Sequence, residues 1–136
     1  MRRFYIACPM RLLPFLFLLP APLAAQSAPA AVPLPAGVTA EMLVKGKELF
    51  QGAGLCMACH GVDGKGSVGP DLTDTTWLHH KGSYEEIVAQ VIKGVPEEES
   101  KTGTPMPPRG GSALSDEQVR AVAAYVWSLS RRPPPT

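Results

Sequence analysis

The pentapeptide Cys56-Met57-Ala58-Cys59-His60 constrains the fold of this chain more than any other stretch. Two thiols three positions apart, followed at once by an imidazole, have few uses. A disulfide across two intervening residues closes too small a loop to stabilise much. Structural zinc requires four ligands, and no second cysteine pair follows, only His79 and His80 far along the chain. A dithiol oxidoreductase places its pair at a strand-to-helix turn in a βαβ context, which this sequence lacks.

The spacing fits C-x-x-C-H haem attachment. Thiols at that separation reach the two vinyl groups on one edge of a porphyrin, and the next residue, His60, points its imidazole at the iron. The remainder of the chain is short of the apolar material needed for a core of its own. Residues 61–82 and 95–114 are long and rich in glycine and proline, and loops of that length need something to hold them. A haem c, one per chain and covalently bound, supplies the missing core, and without it the polypeptide is expected to be largely unfolded.

Three stretches carry helical punctuation, and no run alternates strictly as a half-buried strand does. The expected fold class is all-α, with three main helices wrapped around the haem. The first helix is predicted from Thr39 or Ala40 to Gln51, with Thr39 as N-cap and Met42, Leu43, Gly46, Leu49 and Phe50 on one face. The second spans Tyr84 to Lys93, opened by Ser83 with Glu86 as a capping box and closed by Gly94, its stripe being Ile87, Val88, Val91 and Ile92. The third runs from Asp116 to Leu129, opened by Ser115 with Gln118, and turns Val119, Val122, Tyr125, Val126 and Leu129 inward.

The ends of the chain read differently from the middle. Arg2, Arg3 and Arg11 precede an apolar run from Leu12 to Leu19, and small residues Ala21 to Ala25 follow it. That order is a secretory signal peptide, residues 1–25, with cleavage expected after Ala25. The apolar run is interrupted by Pro14 and closed by Pro20, well short of the roughly 20 residues of a spanning helix, so no transmembrane helix is expected in the mature protein. Cys8 precedes the apolar run and is discarded with the signal. Residues 26–38 form a Pro/Ala-rich leader and 131–136 a disordered tail, leaving 39–130 as the domain. From Gln26 onward ten basic residues face twelve acids, a net −2. That balance offers no basic face for nucleic acid. The expected location is the periplasm, reached by the general secretory route, because a haem joined to two thiols after export favours threading the chain unfolded.

A sixth iron ligand must come from beyond the attachment turn. Met42 lies on a helical stripe and reads as packing, while Met57 is confined to the attachment turn on the wrong side. Met106 sits in Gly103-Thr104-Pro105-Met106-Pro107-Pro108, where flanking prolines lower the entropy cost of presenting a thioether. His60 and Met106 are therefore the expected metal ligands, His/Met being the usual pair of electron-transferring c-type haems. Ligation by His79 or His80 is the alternative, and would lower the potential.

From Lys45 to Ser130 the chain resembles a class I cytochrome c domain, similar to those of small periplasmic carriers and of cytochrome subunits of haem-copper oxidases. The resemblance rests on Lys45 to Phe50, Cys56 to His60, Gly69-Pro70-Asp71-Leu72, Trp77, Met106-Pro107 and Ala123 to Leu129. It implies that Gly46 and Phe50 cross the last helix near Val122 and Tyr125. It also implies that the Pro70 carbonyl accepts the His60 proton away from iron, and that Trp77 lies by the haem propionates, a plain core tryptophan being the alternative there. The charged stretch Pro96 to Lys101 departs from the pattern and reads as a solvated loop, a docking surface being the alternative.

With both axial positions filled by protein, no place is left for a substrate, so the implied function is one-electron transfer and not catalysis. The expected partners are redox proteins: a dehydrogenase or quinol-oxidising donor and a terminal oxidase or reductase acceptor. A freely diffusing carrier is the first reading, and a permanently bound subunit of an oxidase or dehydrogenase complex the alternative. A peroxidase-like or gas-sensing haem with an open distal site is the third.

Overall fold

The computed structural model describes residues 32–131. The expected signal peptide, residues 26–31 of the leader and residues 132–136 of the tail lie outside the described residues. The fold is all-α. Helix α1 is Ala40–Gln51, α2 a single turn at Met57–His60, α3 Tyr84–Lys93 and α4 Asp116–Leu129, with short 3₁₀ turns at Glu97–Glu99 and Pro108–Gly111. The three main helices are those expected. The one-turn α2 and the 3₁₀ turns come in addition, because segments this short carry no periodicity to read.

The helix ends follow their local chemistry. Thr39 accepts from the Met42 amide at 3.4 Å. Ser83 and Glu86 close one capping box and Ser115 and Gln118 another, each side chain satisfying an amide that the first turn would otherwise leave open. Removing either serine costs about 1 kcal/mol by the usual worth of an N-cap.

The core lies between α1 and α4, which make the largest interface, with α3 packed on α4. Phe50 and Val119 are wholly buried and Val122 is nearly so. A Cβ on Gly46 would run into the backbone carbonyl of Ala121 and come within 2.9 Å of Tyr125 Cβ. Only glycine permits that approach, and it sets Phe50 against Tyr125 edge-to-face with centroids 5.4 Å apart. The crossing falls at Ala121 and Tyr125, one residue from the expected Val122.

Two segments pack more closely than composition suggests. Val38, at the end of the proline-rich leader, is buried in the core cluster, and its amide bonds the Pro35 carbonyl at 3.1 Å. Arg131, at the start of the tail, lies over the Trp127 ring at 5.0 Å and donates to the Gly82 carbonyl at 3.1 Å. Ile92 departs in the other direction: it follows Val91 round the helix and is 37% exposed rather than part of the inward stripe.

Substituting Gly46→Ala should force α1 and α4 apart and cost about 1–3 kcal/mol, the usual penalty for overpacking. Thermal unfolding of the mature protein followed by circular dichroism checks this.

Candidate functional site

A cleft opens beside the α1–α4 pair and encloses about 1150 Å³ of empty space, part of it open to solvent. Its depth is apolar, formed by Phe50, Ile87, Val91, Val95, Val122 and Val126. Among the described residues lining it, Asp71 is the single acid and no lysine or arginine is present. The Asp71 carboxylate is held by the Thr73 hydroxyl at 2.7 Å and the Thr73 amide at 2.6 Å, which keep it below the usual carboxylate range.

Every residue singled out from the sequence lines this cleft: Cys56, Cys59, His60, Pro70, Trp77 and Met106. Cys56, Cys59 and His60 are brought together by α2. The His60 amide bonds the Cys56 carbonyl at 3.0 Å, so one helical turn places thiol, thiol and imidazole on the same wall. Burial pushes the Cys56 thiol up to about 11, and both cysteines are free of any disulfide.

His60 is buried, and burial lowers its pKa despite the opposing pull of the Pro70 carbonyl. Its Nδ1 lies 2.9 Å from that carbonyl oxygen. A carbonyl can only accept, so Nδ1 carries the proton and Nε2 keeps its lone pair for another partner. The loop that supplies Pro70 is tied to the attachment turn by the Gly69 amide, which bonds the Cys59 carbonyl at 2.9 Å.

Met106 enters from a different part of the chain. Its amide and carbonyl form a two-way antiparallel bridge with Val95, both bonds 2.8 Å, which anchors the proline-rich segment to the end of α3. Gly94, at φ +73°, makes room for this: a Cβ there would clash with the Met106 carbonyl and lie 2.7 Å from the Pro108 nitrogen. The bridge has no alternating pattern to announce it, and sequence reasoning missed it.

His79 and His80 also border the cleft. His80 is engaged locally. Its Nδ1 accepts the Gly82 amide at 2.9 Å and its ring stacks on Trp77 at 4.9 Å, while partial burial lowers its pKa. His79 is exposed. Trp77 is half-buried in that stack.

The cytochrome c family model matches residues 43–130. The chain belongs to the cytochrome c family. It is 40% identical over 89 residues to the cbb3-type cytochrome c oxidase subunit CcoP of Rubrivivax gelatinosus, covering 65% of this chain and 26% of that one. It is 38% identical over 81 residues to subunit FixP of Sinorhizobium medicae, covering 57% and 27%. It is also 38% identical over 91 residues to subunit CcoP of Rhodobacter capsulatus, covering 62% and 28%. The chain thus spans about a quarter of the length of these relatives. No solved structure matches it at a significant level.

Family membership makes this chain an electron-transfer cytochrome with covalently bound haem c. The cleft fits such a group: it is deep and apolar, with two free thiols on one turn and an imidazole lone pair left available beside them. No helix among the described residues is long and apolar enough to cross a membrane. Replacing Cys56 and Cys59 together with alanine should make all the haem extractable into acidified organic solvent. Either single replacement should leave it attached through one link, seen as a shifted alkaline pyridine spectrum.

Proposed function

We propose that this cytochrome c carries a single haem c joined to Cys56 and Cys59, with iron held by His60 and Met106, and passes single electrons as part of an oxidase complex. The observation that carries the ligand assignment is the convergence of two differently anchored donors on one cleft. His60 is fixed by the Pro70 carbonyl and Met106 by its bridge to Val95. Bound there, haem supplies a one-electron couple whose potential methionine ligation raises.

The chain's own residues do the rest. Pro70 holds the Nδ1 proton and so keeps His60 oriented and electron-rich. Phe50, Val122 and Val126 exclude water from the buried side. His80 is committed to Gly82 and Trp77, which favours Met106 over His80 as the second ligand. Trp77, carrying an indole N–H at the cleft wall, is assigned to the propionate side.

Of the three readings left by the sequence, a bound subunit has more support than a freely diffusing carrier or a peroxidase-like or gas-sensing haem, because the relatives are named as cbb3-type oxidase subunits. The acceptor is then a terminal oxidase and the donor a dehydrogenase or quinol-oxidising complex. Periplasmic location through the general secretory route belongs to the same proposal and rests on residues 1–25.

Substitution Met106→Ala should abolish the sulfur-to-iron charge-transfer band of the oxidised protein and lower its potential; an unchanged near-infrared spectrum removes Met106 from the iron. Native protein extracted and sized without harsh detergent should co-elute with an oxidase subunit. Elution as a small free protein returns the role to a diffusing carrier.

A further inference from the structure

Arg109 stands three residues beyond Met106 in an unusual state. It is one of two non-glycine residues with positive φ among those described, at φ 55°, ψ 26°. A side chain pays about 1 kcal/mol or more for that conformation, so something must hold it. Its guanidinium donates to the Leu114 carbonyl at 2.8 Å through one nitrogen and to Asp116 Oδ1 at 2.6 Å through the other. The Arg109 carbonyl accepts the Ser112 hydroxyl at 2.6 Å, and the Gly110 amide bonds back to Pro107 at 2.9 Å. The arginine side chain is only 30% exposed, whereas Asp116 is 75% exposed.

These bonds tie the segment that carries Met106 to the first turn of α4. Upstream, the same segment is fixed to the end of α3 by the Val95 bridge. Met106 is therefore strung between two anchors, one made of backbone and one made by a single side chain. Pro107 and Pro108 lie between sulfur and latch, and they stiffen the path so that movement at Arg109 is passed to Met106.

We infer that Arg109 is a positioning residue for the Met106 thioether, a latch that would set how often the sulfur leaves a bound iron. The inference rests on Met106 being the ligand. Lysine cannot replace arginine fully, since one ammonium on a flexible stem does not reproduce a planar fork serving two acceptors.

The test uses the mature haem-loaded protein, oxidised, with imidazole as the competing ligand. At saturating imidazole the rate of exchange reads the rate at which the sulfur departs. Arg109→Ala should raise that limiting rate about tenfold, the scale set by losing a charge-assisted pair of hydrogen bonds, and Arg109→Lys should rescue part of it. Asp116→Asn, at an exposed position that leaves the Leu114 bond intact, should raise it less. Arg120→Ala, which breaks the exposed pair with Glu85 on α3, should leave it unchanged even if it lowers thermal stability. Exchange at the parent rate in both the Arg109→Ala and Asp116→Asn proteins overturns the latch while leaving the ligand assignment standing. Absence of the sulfur-to-iron band in the parent protein overturns both. Should Arg109→Ala fail to mature, Asp116→Asn and Arg109→Lys decide the matter alone.

Discussion

The described fold is hung on the place where α1 and α4 touch backbone to backbone. Gly46 against Ala121 brings the helix axes close enough for Phe50 to meet Tyr125 and for Val119 and Val122 to lose all but a trace of solvent contact. Apolar burial of that kind is the main favourable term in a small domain. Two helices and part of a third cannot close a core by themselves. The open side of the pair is the cleft, and the long glycine- and proline-rich segments are arranged around its mouth. Helix packing and cofactor site are in this sense a single construction, in which one face of the same valine-rich helix serves both.

Short-range chemistry made most of the helical frame legible in the sequence. Ser83 with Glu86 and Ser115 with Gln118 announce helix starts because the partner is three residues away, and Gly94 marks an end through its positive φ, although its second role, admitting the Met106 segment, is long-range. The attachment turn was legible for the same reason: Cys56, Cys59 and His60 act together through one helical turn. The contact between His60 and Pro70 could be anticipated from resemblance alone, since nothing in the intervening residues dictates a bond across a glycine-rich loop.

What escaped was long-range or conformationally unusual. The bridge between Val95 and Met106 joins positions eleven apart with no alternation around either. Arg109 falls within the long 95–114 loop, where nothing in the sequence sets it apart, and its left-handed backbone appears only once Leu114 and Asp116 are seen to hold it. Arg131 reads as the first residue of a tail, yet it stacks on Trp127 and reaches Gly82, closing a chain of contacts that runs through His80 to Trp77. Val38 reads in the sequence as part of the proline-rich leader, yet it is buried in the core.

The near absence of charged groups around the cleft has a kinetic meaning. A haem iron held there would change its charge on gaining or losing one electron, and polar surroundings would then re-orient at an energetic cost. Here the deep wall is hydrocarbon, the one carboxylate among the described lining residues is already pinned by Thr73, and the His60 imidazole is pinned by Pro70. On that deep side few dipoles are free to swing. With haem bound there, that side of the domain would add little to the barrier to electron hopping, leaving more of the pace to separation and mutual alignment of the two redox centres.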